Sequence, residues 1–373
     1  MELGGAEGQA ISFAKYLKRN GYKVTILGLS TSGAVCDICE KENISYIILS
    51  HGNILFNKIL SFLNILVRKI CKTDIWPSGL CLMYALAKYI KKNDYDLCIS
   101  YCSYANTILG FSKRICNSSL YAWFQRDAGA FETNEKYQKR AVHMVDYVFA
   151  NSQSGKAWLR KKYGVEATLI YNGVSLAEPL KDSEEWMKIL KVNKTDIVCT
   201  MIANLSGVKD HMSILRAWRL LNESNYDKRL ILVFAGRFDD QYEHLYSYAE
   251  KHNLLPYVRF QGHVTDITGL LRVTSICVFG AISEGSPNGI IEPAMMGLPV
   301  VATDLPEIRE IVAQDNYKYL FSKGDIRSAA DNIIKLAEDA KLRRYLGEKN
   351  MEKASHMFSA ETNFYKLISS VDT

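Results

Sequence analysis

The sequence has no hydrophobic run as long as the ~18 to 20 uncharged residues that a membrane-spanning helix requires. It also has no strong charge excess, because 46 Lys and Arg residues stand against 40 Asp and Glu residues in 373. We therefore expect no nucleic-acid partner and at most a peripheral contact with a membrane. The mild basic excess suits anionic substrates or an anionic membrane surface.

Paired metal-binding motifs are also lacking. Cys36 and Cys39 form a single C-x-x-C, whereas a structural zinc site needs a second pair or a histidine at suitable spacing. The nine cysteines lie mostly in apolar runs, and no secretory leader precedes the first glycines, so we expect a reduced, cytoplasmic chain. We expect neither a metal ion nor a cofactor.

The signature of a nicotinamide dehydrogenase is missing as well. No G-x-G-x-x-G follows a predicted strand with an acidic residue ~20 positions later. Asp94-Tyr95-Asp96 has the form of a metal-binding Asp-x-Asp, but it directly precedes a strand-like run. A turn at the strand entry is therefore the better interpretation.

Strand-like apolar runs alternate with helical patterns through most of the chain, which predicts an α/β fold with parallel sheets. The polar stretch Ser175–Lys194 lacks a strand pattern, so we place a linker there. We predict two doubly wound domains, 1–174 and 175–357, with a cleft at the carboxyl ends of their strands, and a C-terminal helix, 358–373, packing toward the first domain. The predicted strands are Lys23–Leu29, Leu97–Cys102, Tyr121–Phe124, Tyr147–Ala150, Ile197–Ala203, Arg229–Ala235, Val258–Phe260, Ile276–Phe279 and Pro299–Ala302.

The chain opens on a glycine pair, Gly4 and Gly5, followed by a helical pattern that Gly21 should end. A glycine pair before a helix usually follows a first strand, yet only three residues precede this one. We therefore predict that the first strand of the N-terminal domain is missing. Either translation starts further upstream or the strand has been lost.

The stretch Ile54–Ile70 predicts a helix with an unusually wide apolar face. Four of its polar residues, Asn57, Ser61, Asn64 and Arg68, fall on one stripe. Two interpretations stay open: packing against its own domain, and docking at a membrane interface.

The segment Ser283–Pro293 follows a predicted strand and carries the strongest chemical signal. A helix starting near Gly289 would direct free N–H groups and its positive dipole end at a diphosphate. Glu292 is expected in the first turn of that helix, where its carboxylate can accept hydrogen bonds from two ribose hydroxyls. Glu284 lies on the loop, closer to a sugar attached to the diphosphate.

This segment closely resembles the donor-site signature of the family 4 glycosyltransferases, in which two glutamates separated by seven residues lead into a helix of small residues and a Gly-x-Pro-Val-Val strand. The resemblance implies the GT-B fold, with two facing Rossmann-like domains and an interdomain cleft. It also implies that Glu292 binds the ribose of the donor and that Glu284 contacts hydroxyls of the transferred sugar. The phosphates would be lined by Ser286, Pro287, Asn288 and Gly289.

Further pieces resemble the same family in the expected order. Asn172-Gly173-Val174 is similar to the family's interdomain turn. Lys209, in the loop that begins at Asn204, matches the lysine that neutralises the donor diphosphate, and we expect Asn204 to lie at the donor site too. Gly262, His263 and Val264 match the family loop that holds the base. Gly4 and Gly5 match the family loop that approaches the donor phosphates.

Two departures from the family pattern concern charged and titratable groups. Many relatives place an arginine five or three positions before the lysine, where this chain has Asn204 and Ser206, and Arg237 is our candidate for the missing charge. Many relatives also carry a histidine, facing the reacting carbon, where this chain has Gln125-Arg126-Asp127. We predict that Arg126 and Asp127 act on the acceptor or the leaving group. A surface ion pair is the alternative.

The resemblance implies a retaining, metal-independent hexosyltransferase. It would move a sugar from a UDP- or GDP-sugar to a hydroxyl of a saccharide or lipid-linked acceptor. Surface polysaccharide biosynthesis is the expected setting, in the cytoplasm or peripherally on the inner face of the membrane. A sugar epimerase or phosphorylase of the same fold and a degenerate, non-catalytic subunit remain as alternatives.

Overall fold

The structure is a computed structural model that describes residues 4–29, 33–49, 80–117, 119–129, 135–224 and 229–371. The chain divides into two compact units, Met1–Gly173 with Ala360–Thr373, and Val174–Ser359. The predicted helix at Ile54–Ile70 lies outside the described residues. Within the described ranges, no helix combines the length and the apolar character needed to cross a membrane.

The first unit alternates parallel strands with helices. Its strands are β1 (Thr25–Gly28), β2 (Ser45–Ile48), β3 (Leu97–Ser100), β4 (Leu120–Gln125), β5 (Tyr147–Ala150) and β6 (Thr168–Leu169). Its helices are α1 (Gly5–Arg19), α2 (Ala34–Lys41), α3 (Leu80–Asn93), α4 (Ser103–Ser112), α5 (Glu135–Val142), α6 (Gln153–Tyr163) and, at the end of the chain, α15 (Ala360–Ser369).

The sheet of the first unit is in two parts, β1-β2 and β3-β4-β5-β6. Helix α1 packs against both parts, because Ile11 contacts the cluster that contains Ile26 of β1 while Phe13 contacts the cluster that contains Phe124 of β4. Among the described strands, β1 pairs only with β2, and β3 pairs only with β4. The predicted loss of a first strand concerns residues at and before the start of the sequence, and it stays a prediction.

The second unit has one continuous parallel sheet in the order β11-β10-β7-β8-β9. Its strands are β7 (Ile197–Ile202), β8 (Leu230–Ala235), β9 (Val258–Gly262), β10 (Ile276–Phe279) and β11 (Val300–Ala302). Its helices are α7 (Ser183–Leu190), α8 (His211–Glu223), α9 (Tyr242–Lys251), α10 (Ile267–Arg272), α11 (Asn288–Met295), α12 (Pro306–Ile311), the 3-10 helix Gln314–Tyr319, α13 (Ile326–Glu338) and α14 (Ala340–Phe358).

These elements confirm the predicted α/β fold with parallel sheets. The strands of the second unit are almost wholly apolar because helices cover both faces of the sheet. Local signals set several boundaries: α1 ends just before Gly21, which adopts a positive φ of 84°, and Asp210 caps α8 through its side chain. Asp94 forms the predicted turn between α3 and β3, with a φ of 50°.

Candidate active site

The loops that follow β7 and β10 lie side by side at the carboxyl edge of the second sheet, because these two strands are neighbours. The backbone N–H of Asp210 donates to the carbonyl of Gly280 at 2.9 Å. A Cβ added to Gly280 would stand 2.1 Å from the Asp210 carbonyl oxygen, and one added to Gly289 would stand 2.0 Å from the Ile202 carbonyl oxygen. Glycine is therefore required at both positions by close backbone packing.

Lys209 and Glu284 meet at this edge. The Lys209 ammonium donates a hydrogen bond to the Glu284 carboxylate, and only 22% and 7% of the two side chains are exposed. Burial raises the pKa of Glu284, while the charge and hydrogen bond of Lys209 oppose the rise and the charge of Glu307 adds to it. Two residues predicted separately as donor ligands thus form one ion pair.

Glu292 is partly buried on α11. Its carboxylate makes no hydrogen bond with a described residue, and burial raises its pKa to about 7. The prediction that Glu292 lies in the first helical turn was wrong, because α11 begins at Asn288, with Pro287 as its N-cap residue, and Glu292 is its fifth residue. The helix dipole therefore contributes little to Glu292. A neutral ligand with hydroxyl donors would satisfy both carboxylate oxygens without adding charge.

The other residues predicted around the phosphates lie where α11 begins. Ser286, Pro287, Asn288 and Gly289 form the entry to this helix, and Pro287 provides no side-chain cap. The amino end of α11 is therefore stabilised by neither a capping hydroxyl nor a capping carboxylate at Pro287. Such an end can stabilise an anion through its dipole.

Arg237 stands next to the position of the missing arginine, because its backbone N–H donates to the Asn204 side-chain oxygen at 3.1 Å. Its guanidinium, however, donates from Nε and Nη2 to both carboxylate oxygens of Asp239, at 2.6 and 3.1 Å. The backbone of Arg237 therefore lies beside Asn204, while the charge of its side chain is largely neutralised by Asp239. Ser206 carries no charge of its own, and its backbone N–H bonds to the carbonyl of Asn204 at 2.8 Å.

The predicted base-binding loop leaves β9 at Gly262, which adopts a positive φ of 65°. Gly262 accepts a hydrogen bond from the Gly236 backbone at 2.8 Å, and Val264, after His263, packs against the core of the unit. Sequence reasoning missed Phe238, whose ring is 44% exposed and stacks on Tyr242 with 4.0 Å between centroids. A large aromatic residue in an otherwise polar loop was the available signal.

Two further residues at this edge carried no predicted role. Glu307, at the start of α12, is only 7% exposed and makes no hydrogen bond or ion pair with a described residue. His211 is buried, its Nδ1 lies 3.1 Å from the Lys209 carbonyl oxygen, and burial lowers its pKa to about 4. A neutral His211 with its proton on Nδ1 therefore holds the backbone of the Lys209 loop.

In the first unit, Arg126 follows β4 and lies over two aromatic rings, 4.9 Å from the Phe124 centroid and 5.7 Å from the Tyr101 centroid. Its Nε is buried without a hydrogen-bond partner, and burial lowers its pKa to about 10. It forms no ion pair with any described residue, so the alternative interpretation as a surface ion pair is wrong.

Asp127 is engaged by its own loop. One carboxylate oxygen accepts hydrogen bonds from the Gly129 backbone at 2.6 Å and from the Gln125 side chain at 3.3 Å. Gly4 and Gly5 lie at the amino end of α1, where Gly4 supplies no side-chain cap. The charge of Glu7, in the first turn of α1, acts on Arg126, which places this helix end near the guanidinium.

Comparisons with known proteins give family matches in both halves of the chain. A model described as "Glycosyltransferase Family 4" matches residues 3–178, and one described as "Glycosyl transferases group 1" matches residues 182–353. The chain is 28% identical over 167 residues to the putative glycosyltransferase EpsD of Bacillus subtilis, covering 45% of this chain and 43% of EpsD. The chain thus matches less than half the length of this relative.

A second relative matches over more of its length. The UDP-Gal:alpha-D-GlcNAc-diphosphoundecaprenol alpha-1,3-galactosyltransferase of Escherichia coli is 21% identical over 73% of this chain and 74% of its own. Among solved structures, Anabaena HepE in complex with UDP-glucose superposes with a TM-score of 0.82 at 19% identity, over all of this chain and 96% of HepE. The fold is therefore GT-B, and the chain belongs to the family 4 glycosyltransferases.

Proposed function

We propose that this glycosyltransferase transfers a hexosyl group, with retention of configuration, from a UDP- or GDP-sugar to a hydroxyl of a saccharide or lipid-linked acceptor. The observation that carries the proposal is the pairing of Lys209 with Glu284 at the carboxyl edge of the second sheet. The pair holds a cation in a partly buried place, where a donor diphosphate can take over from the carboxylate. UDP is the first nucleotide to test, because the similar HepE structure contains UDP-glucose.

In the reaction, the bond between the sugar C1 and the diphosphate oxygen breaks, and a bond between C1 and the acceptor oxygen forms on the same face. The acceptor proton passes to the leaving phosphate. Lys209 and the amino end of α11 stabilise the negative charge that develops on the diphosphate, which is the kind of contribution that preorganised charges make to catalysis. Because the protein already supplies this positive charge, we propose that no metal ion is needed.

The two glutamates divide the rest of the donor. Glu292, which has no partner among the described residues, accepts hydrogen bonds from the two ribose hydroxyls. Glu284, released from Lys209 when the diphosphate binds, accepts them from hydroxyls of the sugar. Ser286, Pro287, Asn288 and Gly289 line the phosphates, and Gly262, His263 and Val264 line the base.

We place the reaction in surface polysaccharide biosynthesis, on the cytoplasmic side. The E. coli relative is named for a lipid-diphosphate-linked acceptor, and a capsular polysaccharide glycosyltransferase of Staphylococcus aureus is another relative, 22% identical over 52% of this chain. A peripheral contact with the inner face of the membrane would bring such an acceptor to the protein.

The test is the slow hydrolysis of a panel of UDP- and GDP-sugars by the purified chain, followed by NMR of the released sugar. We expect one donor to be hydrolysed with its anomeric configuration retained, and Glu292→Ala to weaken both binding and hydrolysis. The matched control is Glu348→Gln, which removes an exposed carboxylate from α14. Absence of binding to every donor would favour a non-catalytic subunit instead, and an inverted product would exclude the retaining mechanism.

A further inference from the structure

The guanidinium of Arg126 is a charged group without an ion-pair partner among the described residues. Its Nε is buried and bonds to nothing, and no described carboxylate forms an ion pair with it. Burying an unpaired charge is unfavourable, so proteins retain such groups mainly where a ligand completes the pair. The nearby acids do not serve: Glu7 acts on Arg126 only at a distance, and Asp127 is held by Gly129.

The surroundings of Arg126 favour an anion at the edge of the guanidinium. The rings of Tyr101 and Phe124 stabilise the cation through its π contacts. A guanidinium can in addition bind a carboxylate or phosphate through its N–H groups, with two parallel hydrogen bonds.

A second unsatisfied atom lies beside the backbone of Arg126. Asn151, directly after β5, is only 2% exposed, and its amide nitrogen donates to the Arg126 carbonyl at 3.4 Å and to Asn172 at 3.3 Å. Its amide oxygen is buried and accepts nothing. A buried carbonyl oxygen without a donor is rare in folded proteins and indicates a missing partner. The partner must carry an N–H or O–H group.

We propose that Arg126 and Asn151 form an acceptor subsite for a hydroxylated anion, in which the guanidinium binds a phosphate or carboxylate and the Asn151 oxygen accepts a hydrogen bond from a sugar hydroxyl. The inference rests on the proposed glycosyl transfer and names the chemical class of its acceptor: a sugar phosphate or a sugar acid. It assigns Arg126 to the acceptor and leaves the donor diphosphate to the second unit.

The experiment is calorimetric titration of the full chain, saturated with UDP so that the nucleotide site is filled. The probes are glucose, glucose 1-phosphate, glucuronate and inorganic phosphate. Glucose 1-phosphate and glucuronate should bind roughly tenfold or more tightly than glucose, and Arg126→Gln should remove that difference. Comparison of the two anionic sugars also shows whether phosphate or carboxylate is preferred.

Two variants serve as controls and a third tests the hydroxyl. Arg160→Gln removes an exposed arginine of α6, paired with Glu166, and should leave the preference intact. Arg126→Lys keeps the charge and should retain a weaker preference, which gives a folded comparison if the glutamine variant is unstable. Asn151→Ala should weaken the binding of glucose 1-phosphate several-fold and leave the binding of inorganic phosphate unchanged.

The proposal is overturned if the wild type shows no preference for the anionic sugars. It is also overturned if Arg126→Gln weakens the binding of glucose and the binding of glucose 1-phosphate by the same factor. It is also overturned if Arg126→Gln leaves the preference intact and weakens UDP-sugar binding instead, because Arg126 would then belong to the donor. Failure of the donor proposal is separate: it would appear as absence of binding of both UDP and GDP, and titrations without nucleotide would still report on Arg126.

Discussion

Lys209 in the second unit and Arg126 in the first both follow a strand at the carboxyl edge of a parallel sheet, but within the described parts of the chain only Lys209 has a carboxylate partner. Lys209 bonds to Glu284, whereas Arg126 rests on two aromatic rings and bonds to no acid among the described residues. A paired cation can exchange its carboxylate for an incoming phosphate, and an unpaired one gains its first counter-ion when a ligand binds. We propose that this difference separates a donor-binding role for Lys209 from an acceptor-binding role for Arg126.

The sheets of the two units also differ, in their continuity. The second unit has a continuous five-stranded sheet, and the described strands of the first unit form two separate parts. A continuous sheet fixes the loops at its edge through many neighbouring hydrogen bonds, as in the bond between Asp210 and Gly280. We therefore expect changes in the second unit to have the larger effects on both stability and donor chemistry.

Removal of the Lys209 charge should have the largest effect on donor hydrolysis and should best distinguish Lys209 from Arg126. Lys209→Ala takes away a preorganised positive charge and leaves Glu284 buried alone, so donor hydrolysis should fall roughly 10²- to 10³-fold. Arg126→Gln should leave hydrolysis in the absence of acceptor within a few-fold of the wild type. Rates of UDP-sugar hydrolysis measure both, and equal losses in the two variants would break the distinction.

Asp266→Ala should destabilise the second unit strongly. This carboxylate, the N-cap of α10, accepts hydrogen bonds from the backbones of Leu180, Lys181 and Gly269 and from the Trp186 indole. Their loss should lower the free energy of unfolding by on the order of 3 kcal/mol, as followed by tryptophan fluorescence in denaturant.

The matched control for Asp266 is Asp325→Ala, which removes an N-cap from α13 that bonds only to Ser328. It should cost about 1 kcal/mol. Similar losses for the two variants would show that the bonds of Asp266 beyond its helix contribute little to the second unit.

Glu292 makes stability depend on pH. Burial raises its pKa to about 7, so the folded protein holds this proton where the unfolded chain has lost it, and stability falls as pH rises from about 4.5 to 7. Glu292→Gln should therefore stabilise the free protein by on the order of 2 kcal/mol at pH 8 and leave it unchanged at pH 4. The measurement is the thermal unfolding temperature of the wild type, Glu292→Gln and the control Glu348→Gln between pH 4 and pH 8. A Glu292→Gln variant with the same pH dependence as the wild type and the control would contradict the account.

The smallest effect is expected at Arg237. Asp239→Asn should weaken the neutralisation of the guanidinium and lower the KM for the donor a few-fold, since the backbone of Arg237 bonds to Asn204 in the predicted donor loop. Arg237→Gln should raise the KM by a similar factor. A KM that responds to neither change would remove Arg237 from the donor site.

The sequence predicted much of the fold because apolar runs of strand length report directly on buried parallel strands. Ile276–Phe279 was placed at its observed boundaries, and the turn at Asp94 followed from local residue preferences. The position of Glu292 within α11 was harder to predict. The helix begins near Gly289 as expected, but its N-cap residue is Pro287, so Glu292 lies beyond the first turn.

The mutual arrangement of site residues depends on sheet order, which local sequence does not encode. Lys209 bonds to Glu284 because β7 and β10, far apart in the chain, are neighbours in the sheet. The unsatisfied Asn151 oxygen and the buried Nε of Arg126 arise from packing between β4 and β5, and no motif marks them. Glu307 was missed for the same reason: a carboxylate at the start of a short helix is ordinary in sequence, and only its burial sets it apart.

The most direct test of the account is a calorimetric titration of UDP and GDP into the wild type, Lys209→Ala and Arg160→Gln. We predict saturable binding of one nucleotide to the wild type and to Arg160→Gln, and a loss of affinity of roughly tenfold or more in Lys209→Ala. Equal affinity of the nucleotide for the wild type and Lys209→Ala would show that the Lys209–Glu284 edge is not where the donor binds.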